Sequence, residues 1–419
     1  MLNNRINQFD DYPFRRLARL LEGVRPNASL PPLSMAVGEP QLGMPDFAVT
    51  AMNKAQDGWG KYAQNGGIPE LRQAIADWIA RRYRLPTGFV SADRHIMPVP
   101  GTRAGLFMAA LASVPSTKPE SAKPDETKPN SGNNNKPVVM MPNPFYQVYY
   151  GAAILAGAEP ILVAADAKSQ FLPDYVALPD EIWARTAMIY LCSPANPQGT
   201  VAPPDYIKKL LAKARQFEAV LVLDECYSEV YDKTPPMGGL AIAADDGQNL
   251  ANLLVFNSLS KRSSAPGLRS GYAAGDAAII AALGRVLDYG GTPIPLPVQA
   301  ASIALWQDEA HVEEMRAHYR ENFTRAERIL SNRFGCYRPD GGFFLWLNVG
   351  NGEQAAQKLW QKAHLRVVPG AYFAGNNWVP GSAGQSIGQN PGQEFIRVAL
   401  VHKPEVTEQG LRRLAECLG

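Results

Sequence analysis

Cysteine is sparse in this chain of 419 residues, with four in all. Cys192, Cys226, Cys336 and Cys417 stand far apart, no two form a CxxC pair, and three sit in or beside apolar runs. Reduced, buried thiols are expected, and neither a disulfide framework nor a thiolate metal site is. The five histidines show no HExxH or comparable ligand spacing, so no metal is expected. No apolar stretch approaches the ~18 residues of a membrane span, and the opening MLNNRINQFDDYPF has no signal-peptide core. A cytoplasmic protein without membrane contact is therefore expected. Charge is balanced, 41 basic residues against 39 acidic, which gives no reason to expect nucleic acid or an anionic surface as partner. A GxxxxGK[ST] phosphate loop is absent as well.

The length exceeds the roughly 100–200 residues of a typical domain, so two domains are expected. Residues 1–32 are polar and proline-punctuated, with one short amphipathic turn at Pro13–Leu21, and read as an arm that packs on something else. Pro69 opens a helix whose apolar face is Leu71, Ile75, Trp78 and Ile79. From His95 onward short apolar runs at 96–99, 138–141, 161–163, 187–191, 220–223, 253–256 and 271–274 alternate with helical patterns at 102–112, 148–156, 206–217 and 277–287. That alternation predicts an α/β fold with a largely parallel sheet wrapped by helices. Residues 115–136 repeat Lys-Pro, run into SGNNN and carry no aromatic or branched aliphatic side chain, so a disordered surface insertion is expected there. After Leu287 the composition shifts at YGGTPIPLP, 289–297. A long helix with Trp306, Val312, Met315, Tyr319, Phe323 and Leu330 follows, with Gly335 beyond its end. Runs at 342–349 and 365–368 suggest a smaller α/β layer.

In such sheets ligands collect outside the carboxyl ends of the strands, and the polar motifs fall there one after another. SLSKRSSAPGLRSGY, 258–272, sets Lys261 among hydroxyls beside Arg262. A neighbouring cation and partial burial both lower an ammonium pKa and expose a nucleophilic amine. Ser258, Ser260 and Arg269 could hold an anion beside it, the Arg fork suiting phosphate. A nucleophilic Lys beside a phosphate site suggests a Schiff base with pyridoxal phosphate; a solvated basic loop is the bland alternative. PGTRAGL, 100–106, follows a strand and opens a helix, so Gly101 and Thr102 form an anion site or a plain cap. In PNPFYQVYY, Phe145 or Tyr146 could lie flat on a planar ligand or simply pack in the core. Asn196 in CSPANPQGT offers an amide donor, although turn chemistry alone would explain it. Asp224 ends an apolar strand and needs a cation, such as a protonated pyridine nitrogen; Tyr227 can reach the same ring's phenolic oxygen. Gly38 in SMAVGEP would let a ligand approach backbone, or is a turn. Arg397 inside EFIRVALV suits bidentate capture of a carboxylate, against a buried structural ion pair.

The joint order Gly38, Tyr62, Gly101-Thr102, Tyr146, Asn196-Pro197, Asp224-x-x-Tyr227, Ser258-x-Ser260-Lys261, Arg269, Arg397 resembles that of the class I and II aminotransferases of fold type I. The resemblance spans most of the chain. It implies the fold type I transferase architecture: 1–45 as N-terminal arm and part of a small domain, 46–288 as the large cofactor domain, and 289–419 as the C-terminal small domain with its linking helix. By position it implies Lys261 as the Schiff-base lysine and Asp224 as partner of the pyridinium nitrogen. It further implies Asn196 and Tyr227 at the phenolic oxygen and Tyr146 stacked on the ring. Gly101, Thr102, Ser258, Ser260 and Arg269 are implied at the phosphate, joined by Tyr62 from the second subunit of a homodimer with shared active sites. Gly38, Asn196 and Arg397 are implied at the substrate carboxylate.

Within that family YPFRRLARLL and SKRSSAPGLRSG look most like the succinyldiaminopimelate aminotransferases of bacterial lysine biosynthesis. The loop 289–297 contains no Arg; dicarboxylate-specific relatives place there an Arg that takes the distal carboxylate. The implied activity is ping-pong transamination with 2-oxoglutarate as second substrate. An aspartate, alanine or broad-specificity aminotransferase is the alternative, a lyase or racemase on the same fold a more distant one. A ligand-sensing regulator would need a DNA-binding domain, and the polar arm is too short to hold one.

Overall fold

The computed structural model describes residues 2–118, 136–376 and 390–419. Seven strands form the large sheet in the order Ile96–Val99, Gly271–Gly275, Leu253–Ser258, Val220–Asp224, Thr186–Cys192, Val138–Asn143, Glu159–Ala164. All neighbours pair in parallel except Gly271–Gly275, which runs antiparallel to the strand on either side. Each of the seven runs read from the sequence is one of these strands, extended by up to two residues at an end. Period-two alternation puts Leu221, Leu223, Leu253 and Val255 in the core on one face, and Val220, Val222, Leu254 and Phe256 in the core on the other. A parallel sheet buried on both faces reads as continuous apolar runs for this reason. Helices Thr102–Ser113, Gln147–Leu155 and Ala277–Gly290 pack on the second face. Pro69–Tyr83, Pro204–Gln216 and Leu296–Gln307 pack on the first.

A three-stranded antiparallel sheet carries Phe395–Ala399 between Val368–Pro369 and Phe344–Asn348. Helices Ala310–Leu330, Gly352–Ala363 and Pro404–Leu418 close its core. The N-terminal chain joins this layer: Leu33–Ser34 pairs in parallel with Leu365–Arg366, and helix Pro13–Leu21 buries Leu17 and Leu21 against Trp346, Val368, Tyr372 and Phe373.

The long helix expected around Trp306 to Leu330 is two helices, Leu296–Gln307 and Ala310–Leu330. The break has a local cause. The Asp308 carboxylate, one residue before the N-cap Glu309, accepts from the His311 backbone N–H at 3.0 Å and so satisfies one of the free donors at the start of the second helix. At the end of the first, the fully buried Arg262 guanidinium donates to the carbonyls of Leu305 at 2.7 Å and Asp308 at 3.1 Å and pairs with Glu309. The side chain beside Lys261 thus satisfies a helix C-terminus. Of the insertion expected at 115–136, residues 119–135 lie outside the described part. The four thiols are free; Cys192 and Cys226 are buried, Cys336 and Cys417 half-buried. Among the described residues no helix is long and apolar enough to cross a membrane.

Candidate active site

The strands Val138–Asn143, Thr186–Cys192, Val220–Asp224 and Leu253–Ser258 end at one cavity of about 590 Å³. Its walls include Gly38, Thr102, Tyr146, Asn196, Asp224, Tyr227, Ser258, Ser260, Lys261, Arg269 and Arg397. The parallel strands present their carboxyl ends at one edge, which gathers Asn196, Asp224 and Ser258, while Gly38 and Arg397 reach the cavity from the N-terminal chain and the smaller sheet.

Asp224 is the last residue of its strand and is buried. Desolvation pushes its carboxyl above the usual range, and donors to the charged form oppose that. Tyr149 donates its hydroxyl to Oδ2 at 2.6 Å and the Cys226 backbone N–H donates to Oδ1 at 3.2 Å. Tyr149 is itself fixed by a parallel stack on Tyr190, with ring centroids 4.5 Å apart. Two neutral donors stabilise a buried carboxylate without neutralising it, so its charge is available to a cation in the cavity.

Lys261 lies in the single helical turn Leu259–Arg262, started by Ser258, whose hydroxyl accepts from the Ser260 backbone N–H at 3.1 Å. Its ammonium donates to the Gly38 carbonyl and sits 5.3 Å from the centre of the Phe343 ring. Burial pulls its pKa down to about 8; among charged neighbours Arg397 and Arg103 lower it, while Cys226 and Glu39 raise it. The expectation that Arg262 would be the depressing cation is corrected: its guanidinium points away, between Trp78 and Trp306 at 5.2 and 5.0 Å. Gly38 also differs in its reason. A Cβ there would lie 2.4 Å from the Phe344 ring, so packing demands the glycine, and its carbonyl is taken by Lys261.

Asn196 and Arg397 are brought together. Arg397 donates through Nη1 to Asn196 Oδ1 at 3.1 Å and through Nη2 to the Ala36 carbonyl at 2.9 Å. Its guanidinium is 4.2 Å from the centres of both the Phe344 and Phe373 rings. Its Nε is buried without a partner among the described residues, and burial pulls its pKa down to about 10. Both neighbours it bonds are neutral oxygens, so the buried-ion-pair alternative fails and an anion is wanted. Because Asn196 Oδ1 faces Arg397, its NH₂ is free to donate. Tyr227 stands edge-on to Phe343 and Phe344, its hydroxyl pushed well above the usual range by burial and lowered by Arg397.

A second anion cradle lies at the N-terminus of helix Thr102–Ser113. Gly101 has φ +80°, and a Cβ there would lie 2.2 Å from Arg269 Nη2, so the glycine lets the guanidinium sit over the helix end. Arg269 is exposed, has φ +52° and donates to the Pro266 carbonyl at 2.8 Å. The hydroxyls of Ser258 and Ser260 are 2.9 Å apart beside it. Thr102 Oγ1 contacts Cys226 Sγ at 3.0 Å. A cradle of hydroxyls, helix end and guanidinium fits a phosphate; the orphaned Arg397 fork fits a carboxylate; between them lie Lys261 and Asp224. That set matches a phosphorylated pyridine aldehyde and an amino acid together.

Tyr146 lines the cavity, and its hydroxyl accepts from Arg103 Nε at 2.8 Å. Tyr62 does not enter the cavity of its own chain and is fully exposed. Sequence reasoning missed Tyr149, Arg103, Cys226 and Tyr12. Tyr149 carried a signal: it follows Tyr146 by three, one helical turn, and the two rings meet edge-on at 5.6 Å. Tyr12 had none, because nothing in a polar arm says where it docks.

Known proteins resemble this chain along its length. The family model described as aminotransferase class I and II matches residues 31–414. The LL-diaminopimelate aminotransferase of Maridesulfovibrio salexigens is 28% identical, covering 99% of this chain and 98% of its own. The 4-dedimethylamino-4-oxo-anhydrotetracycline transaminase OxyQ of Streptomyces rimosus is 31% identical over 91% and 92%. Among solved structures, an aminotransferase from Neisseria meningitidis superposes with a TM-score of 0.88 at 36% identity, covering all of both chains. Aminotransferase AspB from Helicobacter pylori gives 0.84 at 29% identity, covering 98% and 99%.

Proposed function

Since this chain belongs to the class I and II aminotransferases, pyridoxal phosphate enzymes, we propose that it takes the amino group from N-succinyl-LL-2,6-diaminopimelate and gives it to 2-oxoglutarate, in diaminopimelate and lysine biosynthesis. The observation that carries the reading is the convergence on one cavity of Lys261, Asp224 and Arg397, whose guanidinium bonds only neutral oxygens. The bound cofactor supplies an electron sink for the carbanion left when the α-proton departs. Asp224, held by Tyr149 and the Cys226 N–H, would pair with the cofactor's ring nitrogen and keep it protonated. The Lys261 amine, its pKa pulled down to about 8 by burial, would hold the cofactor covalently at rest. Freed from the cofactor, the same amine would be a base placed to take the substrate's α-proton and to hand it on. Asn196 NH₂ and the Tyr227 hydroxyl would hold the phenolic oxygen. Gly101, Thr102, Ser258, Ser260 and Arg269 would bind the phosphate, with Tyr62 of a second subunit. Tyr146 would cover the ring, and Arg397 would orient the α-carboxylate.

For the donor, the loop 289–297 without Arg speaks against a short side chain clamped there and favours a long acylated one with a remote carboxylate. A second reading, LL-diaminopimelate itself, is favoured by the names of relatives such as the Maridesulfovibrio salexigens enzyme. Comparing kcat/KM for N-succinyl-LL-diaminopimelate, LL-diaminopimelate, aspartate and alanine with 2-oxoglutarate separates them, because the shared α-amino acid core cancels. The succinylated donor is expected to lead. A lead of about tenfold for LL-diaminopimelate selects the second reading, and the same lead for aspartate or alanine removes both.

A further inference from the structure

We infer that His311, held by Asp308 and bonded through its other ring nitrogen to Ser263, is a positioning residue that braces the turn of Lys261 while its ring is neutral. The inference rests on Lys261 being the cofactor lysine and names a residue outside the cavity that serves it. His311 Nδ1 lies 2.5 Å from Asp308 Oδ1, and Nε2 lies 2.8 Å from Ser263 Oγ. A serine, a histidine and an aspartate joined in that order have the connectivity of a nucleophilic triad. Ser263, however, is only 1% exposed and does not line the cavity. No substrate reaches its hydroxyl there, so the trio acts by position.

The hydrogens can be assigned along the chain. Burial would raise the Asp308 carboxyl, but the His311 ring and backbone N–H and the nearby Arg262 hold it below its usual range. An ionised carboxylate only accepts, so Nδ1 carries the ring proton. In a neutral ring Nε2 is then an acceptor and takes the Ser263 hydroxyl proton, while Ser263 Oγ accepts from Arg262 Nη1 at 3.3 Å. Ser263 ends the single turn Leu259–Arg262, its backbone N–H donating to the Leu259 carbonyl at 3.0 Å. One turn has little stability of its own. Lys261 is therefore held from both sides, by Ser258 at the anion cradle and by Ser263 and Arg262 at the junction of the helices Leu296–Gln307 and Ala310–Leu330. A second ring proton would find only the Ser263 oxygen, which would have to turn its own proton away. The groups facing the ring are Arg262 from the turn, Asp308 and Glu309 from the junction, and the uncharged Phe47 ring from helix Asp46–Lys54, edge-on at 5.6 Å. Burial and Arg262 lower the His311 pKa, Asp308 and Glu309 raise it, and the net is a fall. The ring is thus neutral at about pH 7.

Steady-state kinetics on the pyridoxal phosphate holoenzyme, with any donor that wild type turns over, compares Ser263→Ala, His311→Leu, His311→Gln and the Ser263→Ala/His311→Leu pair. Borohydride reduction and peptide mapping count the loaded sites in each. Ser263→Ala and His311→Leu are each expected to lower kcat about tenfold with KM for the donor little changed. The double variant is expected to lose no more, because both changes cut one chain. His311→Gln keeps an acceptor for the Ser263 hydroxyl and is expected to recover most of kcat. Wild-type kcat is expected to fall as pH drops below about 6.5, and His311→Gln, which does not titrate, to lose that limb. The pH at which the bound cofactor's absorption changes is expected to move in Ser263→Ala and to stay in His311→Gln. Unaltered kcat and absorption in Ser263→Ala and His311→Leu, with Tm alone lowered, make the trio a fold stabiliser and overturn the inference. Additive losses in the double variant, a His311→Gln no better than His311→Leu, or an acid limb unchanged in His311→Gln overturn it as well. A borohydride label away from Lys261 removes the premise instead, so the two failures are told apart.

Discussion

At the level of single residues, chemistry was legible where a side chain contradicted its surroundings. Asp224 ending four apolar residues and Arg397 inside a strand each raised a desolvation problem that only a ligand or a partner could solve. What could not be read was which neighbour would hold them. Tyr149 on Asp224 and the Phe344–Phe373 pair around Arg397 come from elements 75 or fewer and 24 or more positions away, and no local pattern encodes such pairings. The Arg262 expectation failed for the same reason: adjacency in sequence placed two cations side by side, whereas the turn points them apart. If Asp224 holds the ring nitrogen, Asp224→Ala strands a buried charge and loses about 3–5 kcal/mol of transition-state stabilisation. Tyr149→Phe removes one hydrogen bond to a charged group and is expected to lower kcat/KM about tenfold to a hundredfold. Steady-state kinetics on both variants checks the order; an Asp224→Ala enzyme within tenfold of wild type means the nitrogen is served otherwise.

For strands and helices, the large sheet was legible because a buried parallel strand is a short apolar run bounded by polar turns. The break between Leu296–Gln307 and Ala310–Leu330 was not, since apolar spacing continues across it and Arg262, which with Asp308 holds it, lies some 45 residues earlier. The strand Val220–Asp224 holds a second carboxylate immediately beyond its end. Glu225 is buried, accepts from the Tyr83 hydroxyl at 2.8 Å and the Gly239 N–H at 2.7 Å, and burial raises its pKa to about 7, with Arg82 lowering and Glu229 raising it. A carboxyl raised in the folded state keeps its proton where the unfolded chain has lost it. Its contribution is complete below the ordinary carboxylate range and is lost as pH rises through about 7. Glu225→Gln stays neutral throughout. The Tm of wild type minus that of Glu225→Gln is therefore expected to fall between about pH 4.5 and 7.5; a constant difference across that window refutes the assignment.

For the whole molecule, the cavity draws on the N-terminal arm, both strand layers and the turn that carries Lys261, so its parts are spread from Tyr12 to Arg397. Tyr62 is fully exposed and stands outside the cavity of its own chain, and sequence had no means to show which chain it serves. If it completes the site of a second copy, mixing Lys261→Ala chains with Tyr62→Ala chains restores activity, because one site in each mixed dimer is whole. Mixed dimers without recovery remove Tyr62 from the site. The central claim is that one lysine of this chain carries the cofactor between Asp224 and Arg397. Borohydride reduction of the holoenzyme, followed by peptide mapping, tests it most directly: the pyridoxyl label is expected on Lys261 alone, and a label on any other lysine contradicts the account.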